Sequence, residues 1–222
     1  MKIVAAKKIL KANDQLAGEN RAQFAKQRVF CVNLVGSPGC GKTTLLEALF
    51  ARLPQDLAPA VIEGDIAGQV DAERMEKIGV PVVQINTDGM CHLEASMIAA
   101  AAQGIELDRV NMLWIENVGN LVCTAGYDLG EHLRIVALST SEGDDKLIKY
   151  PTIFQRSDAL VITKIDLLPY LNFDVAQARA GMKRLAPEAR VFEISATTGQ
   201  GVAEVVEWLL AEKQAAALVS DA

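Results

Sequence analysis

The sequence predicts an α/β fold: a mainly parallel sheet with helices on both faces. Two observations lead to this prediction. Short apolar runs rich in β-branched residues alternate along the chain with helical stretches, and a glycine-rich loop joins the first such run to a helix. Continuously apolar strands that alternate with helices are typical of parallel βαβ units, whose sheet is buried on both faces.

Each short apolar run predicts one strand. The predicted strands are Val29–Val35, Ala60–Ile62, Val80–Ile85, Asn111–Ile115, Ile135–Leu138, Ala159–Ile162 and Val191–Ile194. The helices predicted between them are Lys42–Leu53, Gln69–Ile78, Leu93–Gln103, Phe173–Leu185 and Val202–Glu212. Ligands of such folds bind beyond the carboxyl ends of the strands, so functional residues are expected in the loops that follow them.

The first 28 residues differ in composition from the rest of the chain. They carry seven Lys or Arg against two Asp or Glu, with apolar residues spaced as on a helix. We predict a helical arm over residues 1–28, which is most simply solvated; a partner-binding arm is the alternative. The remaining residues, 29–222, are predicted to form one phosphate-binding domain.

Composition argues against several classes of protein. The net charge of −6 argues against a nucleic-acid binder, because no overall positive field would attract phosphate backbones. The basic start lacks the apolar core of a secretory signal, and no apolar run approaches the roughly 18 residues that span a bilayer. A cytoplasmic protein without membrane contact is therefore expected, and its four cysteines are interpreted as core residues or metal ligands.

The glycine-rich loop is the strongest local motif. Its residues are Gly36, Ser37, Pro38, Gly39, Cys40, Gly41, Lys42, Thr43 and Thr44. The pattern Gly-x-x-x-x-Gly-Lys-Thr, after a strand and before a helix, cradles phosphates with backbone N–H groups at the positive end of the helix dipole. Lys42 is expected to bridge the β- and γ-phosphates, and the Thr43 hydroxyl is expected to bind Mg²⁺.

A second motif indicates which base is bound. Thr163, Lys164 and Asp166 follow an apolar strand, and a carboxylate at the Asp166 position accepts hydrogen bonds from guanine N1–H and the 2-amino group. Adenine lacks this pair of donors, so it would leave the carboxylate unpaired. A short Ser-Ala-x motif follows the last strand and comprises Ser195, Ala196 and Thr197. In guanine-nucleotide proteins the backbone of this motif contacts the base oxygen. GTP is thus favoured over ATP.

Two further strands end in acidic residues. Asp65 is placed to hold Mg²⁺ directly or through water. Glu116 is expected to orient water or support the magnesium shell, and Gly119 could sense a γ-phosphate through its backbone N–H, as switch glycines do. Together with Lys42, these three residues are the candidate catalytic group.

Cysteine and histidine form a separate candidate site. Cys91 and His92 are adjacent at the start of a helical stretch, and Cys123 follows the switch segment at Glu116–Gly119. Thiolates and imidazole suit Ni²⁺ and Zn²⁺, although three ligands leave a tetrahedron incomplete. The spacing alone leaves buried core cysteines as the alternative.

Several longer strings resemble the HypB GTPases, which assist nickel insertion during maturation of nickel–iron hydrogenases. The matching strings are Val35–Thr44, Glu63–Asp65, Cys91–Ala95, Glu116–Cys123, Lys149–Pro151 and Asp166–Asp174. They are spread over most of the chain. The sequence departs from that family's pattern at Thr163, where Asn is usual, and at Thr124, where Pro is expected. It also lacks a Cys-rich or His-rich N-terminal tract.

The resemblance implies a GTPase of the class of signal-recognition and Min-type P-loop proteins (SIMIBI-type), active as a GTP-dependent homodimer. It implies that Cys91, His92 and Cys123 bind Ni²⁺ or Zn²⁺ near the subunit interface, on segments inserted into the GTPase domain. It also implies that Leu167 and Leu171 contribute to dimer packing. The partners it implies are a companion nickel chaperone and the precursor of the hydrogenase large subunit.

The hypothesis favoured by the sequence is a GTP-hydrolysing nickel metallochaperone that uses Mg²⁺. One alternative is a P-loop small-molecule kinase in which the Cys/His cluster is only structural. Another is a non-catalytic metal carrier in which the nucleotide merely stabilises the fold.

Overall fold

The seven predicted strands form a single sheet in the computed structural model, which describes residues 6–65, 68 and 70–220. Strands β1 to β7 span Phe30–Gly36, Pro59–Asp65, Val82–Asn86, Met112–Glu116, Leu133–Ser139, Ala159–Thr163 and Arg190–Glu193. Their order across the sheet is β3-β2-β4-β1-β5-β6-β7, and each neighbouring pair is parallel. The predicted α/β architecture is therefore confirmed, with strand ends within about three residues of those expected.

The helices fill the connections between strands. Helices α1 to α8 span Ala6–Lys26, Lys42–Phe50, Val70–Lys77, Ala95–Ala102, Lys146–Lys149, Pro151–Gln155, Val175–Leu185 and Val202–Ser220. Gln69, the predicted start of one helix, lies outside the described residues. Helices α5 and α6 were not predicted, because four or five residues are too few to show helical periodicity.

Both faces of the sheet are covered, as predicted. Residues of α2, α3 and α8 that pack on one face include Leu45, Leu49, Met75, Val205 and Leu209. On the other face, the packed residues of α1, α4, α6 and α7 and of the loop before α4 include Phe24, Leu93, Ile98, Ile153 and Met182. The sheet is thus the middle layer of three, which explains why its strands are apolar on both sides.

Strand β1 lies at the centre of the sheet, between β4 and β5. Cys31 is buried in its core, as the sequence indicated. At its carboxyl end Gly36 lies so close to its neighbours that a Cβ would be 2.6 Å from Cys40 Sγ and 2.7 Å from the Ala137 carbonyl oxygen. Only glycine therefore lets the chain leave the strand here and turn into the phosphate loop.

Helix α1 is not solvated on all sides. One of its faces is buried at Asn13, Ala17, Asn20 and Phe24, which are spaced three or four residues apart. The expectation of a solvated helix is corrected for this face. Two of its four inner residues are asparagines, so the buried stripe is too polar to be recognised from hydropathy alone. The division of the chain into residues 1–28 and 29–222 stays a prediction.

The two asparagines of α1 hydrogen-bond to two separate segments. Asn13 donates from Nδ2 to the Asp128 carbonyl (2.7 Å) and accepts from the Ala95 N–H (2.9 Å). Asn20 Nδ2 donates to the carbonyls of Ala95 (2.9 Å) and Leu129 (3.0 Å). These contacts attach α1 to the start of α4 and to the loop before β5.

We expect Phe24→Ala to lower the free energy of unfolding by about 3–5 kcal/mol, the usual cost of truncating a buried phenylalanine. The side chain is only 1% exposed. Urea unfolding followed by circular dichroism measures the change. Gln23→Ala, on the exposed face of the same helix, is the control. Equal effects of the two substitutions would contradict the packed position of α1.

Candidate functional site

The phosphate loop curls between β1 and α2. Gly39 and Gly41 both have positive φ angles, 74° and 93°, which glycine adopts without steric cost. The turn is closed by hydrogen bonds from the Cys40 N–H to the Ser37 carbonyl (3.3 Å) and from the Leu45 N–H to the Gly41 carbonyl (2.8 Å). The first amides of α2 therefore face the loop, which is the arrangement that binds an anion.

The Thr43 hydroxyl lies beside the end of β4. It donates to Glu116 Oε1 at 2.7 Å, and both side chains are buried. Glu116 Oε2 is buried without a hydrogen-bond partner. Burial raises the pKa of Glu116 to about 7, against the opposing effects of Lys42 and of the Thr43 hydrogen bond. A buried carboxylate with a free oxygen next to a threonine hydroxyl suits a divalent cation.

Glu63 is a further acidic residue of the site, and it was not predicted from the sequence. It lies opposite Glu116 in the parallel pairing of β2 with β4. Burial, followed by the negative charges of Glu116 and Asp65, raises the pKa of Glu63 to about 8, and its Oε2 is also buried without a partner. The available signal was its position two residues before Asp65, because alternate residues of a strand share a face.

Asp65, at the carboxyl end of β2, accepts from the Gly68 N–H at 2.9 Å. Glu63, Asp65 and Glu116 thus place three carboxyl groups on one side of the sheet, and Glu116 among them contacts Thr43. Glu63 and Glu116 are buried, and buried negative charge is costly unless protons or a cation neutralise it. The oxygen atoms of Thr43 and Asp65, with the unpartnered Oε2 atoms of Glu63 and Glu116 beside them, are of the ligand type that suits Mg²⁺.

The switch segment, Glu116–Gly119, lies directly against the phosphate loop. A Cβ on Gly119 would be 2.8 Å from Pro38 Cγ and 2.9 Å from Pro38 N. The backbone of Gly119 can approach the loop this closely only because it carries no side chain. A shift of the loop on ligand binding would therefore move the switch segment.

The predicted base motif also supports the phosphate loop. Thr163 Oγ1 donates to the Cys40 carbonyl at 2.6 Å, and Lys164 Nζ donates to the Gly39 carbonyl at 2.7 Å. Lys164 has a positive φ of 59°, and its carbonyl accepts from Thr140 Oγ1 at 2.8 Å. Thr163 thus has a partner of its own, although it replaces the more usual asparagine.

Asp166 is exposed in the 3₁₀ segment Ile165–Tyr170, where a base can reach it. The Ile165 N–H donates to the Ile194 carbonyl at 3.2 Å, which brings this segment next to the Ser-Ala-Thr motif. Within that motif Ser195 is buried, and its Oγ accepts from the Thr198 N–H at 3.2 Å. Ala196 is half-buried and Thr197 is exposed. The two predicted base-contacting segments are therefore neighbours.

Cys91, His92 and Cys123 come together across 32 residues of sequence. Cys91 Sγ lies 3.9 Å from His92 Nδ1, and a hydrogen bond with Cys91 raises the pKa of the Cys123 thiol above its usual range. The His92 ring stacks on Tyr127 with 4.0 Å between centroids. Among residues 6–65, 68 and 70–220, however, no three Cys, His, Asp or Glu side chains are already arranged to hold a metal ion.

The two leucines expected at a dimer interface follow Asp166. Leu167 is partly exposed, Leu171 is half-buried, and the neighbouring Tyr170 is 82% exposed. Apolar surface is therefore present at the predicted position. In the described part of the chain, no helix has the length and apolarity needed to cross a membrane.

A central parallel strand that turns through a glycine-rich loop into a helix, with carboxylates beside the loop threonine, defines a P-loop nucleotide-binding protein. The CobW/HypB/UreG nucleotide-binding domain matches residues 30–193. Hydrogenase maturation factor HypB of Escherichia coli K12 is 47% identical over 201 residues, covering 90% of this chain and 69% of that protein. The probable HypB of Methanocaldococcus jannaschii is 44% identical over 204 residues, covering 92% of each.

A solved structure agrees with these relatives. The crystal structure of HypB from Helicobacter pylori in complex with nickel has a TM-score of 0.88 and 42% identity, and the match covers 91% of this chain and 95% of that one. The chain therefore belongs to the CobW/HypB/UreG family and, within it, to the HypB hydrogenase maturation factors. This membership confirms the family resemblance of the sequence and favours hydrogenase maturation over the kinase alternative.

We expect Gly119→Ala to weaken the binding of a non-hydrolysable GTP analogue about tenfold or more, which corresponds to about 1.4 kcal/mol. The added Cβ would press on Pro38 and displace the phosphate loop from the switch segment. Calorimetric titration measures the affinity. Gly126→Ala is the matched control, because no atom lies within 4 Å of a Cβ built there. Parent-like affinity in Gly119→Ala would show that the close approach is unimportant.

Proposed function

We propose that this protein is a GTPase that uses its nucleotide cycle to deliver nickel for hydrogenase maturation. One observation carries the proposal: Cys123, four residues after the switch glycine, contacts Cys91, so a candidate metal site adjoins the segment that touches the phosphate loop. The HypB protein of Helicobacter pylori, 42% identical, has been solved with nickel.

GTP is the nucleotide that the base-contacting residues suit. The exposed Asp166 carboxylate can accept both the N1–H and the 2-amino group of guanine. The Lys164 stem can lie along the base while its ammonium group keeps its hydrogen bond to the loop. Ser195, Ala196 and Thr197 would contact the base oxygen from the adjacent segment.

Hydrolysis in this proposal depends on positioning and charge. The loop amides and the Lys42 ammonium group would hold the β- and γ-phosphates, and the Gly119 N–H would meet the γ-phosphate. Thr43 and Asp65 would bind Mg²⁺, which supplies positive charge to the phosphate oxygens. Glu116, whose free Oε2 is buried beside Thr43, would orient a water molecule or support that ion.

Nickel is the cargo, and Cys91, His92 and Cys123 are its proposed ligands. Two thiolates and an imidazole suit Ni²⁺ and Zn²⁺. These side chains are neighbours, but their ligand atoms are not arranged to hold a metal ion together. Binding would draw them together, and a fourth ligand would come from water, from another side chain or from a second subunit.

The nucleotide state can reach Cys123 through Asn120. The Asn120 side chain accepts from the N–H groups of Val122 (2.7 Å) and Cys123 (2.9 Å), which forms a tight turn directly after Gly119. Movement of the switch segment would therefore reposition Cys123 relative to Cys91. Hydrolysis would then bias the site toward release of the metal.

The proposal includes a GTP-dependent homodimer that uses Leu167 and Leu171. Tyr170, which is highly exposed between them, adds apolar area to that surface. The partners would be a companion nickel chaperone and the precursor of the hydrogenase large subunit. A reducing compartment, the cytoplasm, suits the proposal because the ligand cysteines must remain thiols, and all four cysteines are free.

We expect Asp166→Asn to lower GTP affinity about a hundredfold or more, and to raise affinity for xanthosine triphosphate. The amide NH₂ of the new Asn can donate to the xanthine 2-oxo group. With guanine the same NH₂ would face the 2-amino group, which is also a donor. Competition against a fluorescent nucleotide measures both affinities. Asp108→Asn, an exposed carboxylate before β4, is the control. Unchanged GTP preference in Asp166→Asn would remove the basis for assigning GTP.

We expect Cys91→Ser and Cys123→Ser to weaken nickel binding at least about tenfold while nucleotide binding is kept, because a serine hydroxyl is a poor ligand for Ni²⁺. Equilibrium titration that follows thiolate charge-transfer absorption measures the effect. Cys31→Ala removes a buried thiol elsewhere and should bind nickel as the parent does. Parent-like nickel affinity in both serine variants would overturn the proposed site.

A further inference from the structure

Asn33 is a polar residue at the centre of the apolar sheet. It lies in β1 and is 0% exposed, with Cys31 and Val35 on the same face of the strand. A buried amide is tolerated only where its donors and acceptors find partners. The partners of Asn33 lie on two different segments, one on each side of it.

The first partner belongs to the switch segment. Asn117 Nδ2 donates to Asn33 Oδ1 at 3.2 Å. Two further hydrogen bonds fix Asn117. Its N–H donates to the Leu34 carbonyl at 2.9 Å, and its Oδ1 accepts from the Val118 N–H at 2.9 Å. Asn33 is therefore in direct contact with the switch segment, two residues before Gly119.

The second partner belongs to the loop before β5. Asn33 Nδ2 donates to Glu131 Oε1 at 3.0 Å, and Glu131 Oε2 accepts from the Leu129 N–H at 2.8 Å. Arg134 donates to Glu131 Oε1 through Nε at 2.9 Å and also to the Tyr127 carbonyl at 2.6 Å. These buried bonds set the conformation of residues 127–131.

That loop contacts the other half of the candidate nickel site. The Tyr127 ring stacks on His92 at 4.0 Å. Asn20 of α1 joins the Leu129 carbonyl to the Ala95 carbonyl, three residues after His92. Residues 127–131 therefore hold the segment that carries Cys91 and His92.

We propose that Asn33 is a positioning residue that couples the nucleotide-sensing switch segment to the Cys91–His92 half of the nickel site. The inference rests on the proposed function. Cys123 can follow Gly119 through the three residues of chain that lie between them, but His92 has no such short covalent connection. The hydrogen bonds from Asn117 through Asn33 and Glu131 to the Tyr127 loop supply a non-covalent connection instead. A displacement at Asn117 must either break a buried hydrogen bond or move the loop.

The test is the nickel affinity of the protein bound to a non-hydrolysable GTP analogue divided by the nickel affinity of the GDP-bound protein. We expect a ratio of about 5–150 in the parent, the usual size of such coupling. In Asn33→Leu, which keeps the side-chain volume but forms no hydrogen bond, we expect the ratio to fall to within about twofold of one. Nucleotide affinities measured without nickel should stay close to those of the parent.

Two further variants keep the test decisive. Asn111→Leu makes the same substitution in an asparagine that joins the Ala58 N–H and the Asp56 carbonyl at the opposite end of the sheet, so the parent ratio should persist. Glu131→Gln replaces one acceptor of the same hydrogen-bond chain at almost constant shape, and it carries the test if circular dichroism shows Asn33→Leu unfolded.

The outcomes distinguish this inference from the proposed function. If the parent shows coupling and Asn33→Leu keeps the same ratio, the inference alone is overturned. If Asn33→Leu is unfolded, the same conclusion follows when Glu131→Gln keeps the ratio. A parent that binds no nickel, or binds it equally in both nucleotide states, overturns the nucleotide-driven delivery of nickel and the inference with it. Loss of coupling in the variant, with the Asn111→Leu ratio intact, supports the inference.

Discussion

The register of β1 against β4 places Leu34 opposite Glu116, and the geometry of the site depends on that alignment. It brings the Glu116 carboxylate within 2.7 Å of the Thr43 hydroxyl and lets the Asn117 N–H donate to the Leu34 carbonyl. The chain then continues into Gly119, which lies against Pro38. A slip of one residue would turn the Glu116 side chain to the other face of the sheet, away from Thr43.

The same alternation lets one strand end serve two sites. Glu116 faces the side of the sheet covered by α2, where the phosphate loop lies, whereas Asn117 hydrogen-bonds to Asn33 on the side covered by α1 and α4. Two consecutive residues thus lie on opposite faces of the sheet: Glu116 lies beside the phosphate loop, and Asn117 lies toward the proposed metal-binding segments. A small rotation at the end of β4 would be felt on both faces, because packed interiors transmit displacement instead of absorbing it.

The acidic group beside Thr43 favours function over stability. Burial raises the pKa of Glu116 to about 7, and burial together with the charges of Glu116 and Asp65 raises the pKa of Glu63 to about 8. These carboxyl groups cannot all be ionised at low cost in the free protein, so a bound cation would relieve a strain that is already present. A cation would therefore be stabilised more at such a site than at one whose carboxylates are already satisfied by hydrogen bonds.

Local features were readable from the sequence because neighbouring residues encode them. Continuous apolar runs predicted all seven strands, Gly-x-x-x-x-Gly-Lys-Thr predicted the loop and its helix, and the strings around Cys91 and Cys123 indicated the family. Short α5 and α6 escaped because they lack a full helical period.

Long-range pairing was decided only by the tertiary structure. Glu63 joins the acidic group through strand register, and Asn33 meets Asn117 and Glu131 across distances of 84 and 98 residues. The buried face of α1 depends on Asn13 and Asn20, which look like surface residues until their backbone partners are in place. A residue's own neighbours determine whether it can form a strand or a loop. Which distant group it meets depends on how all the layers pack together.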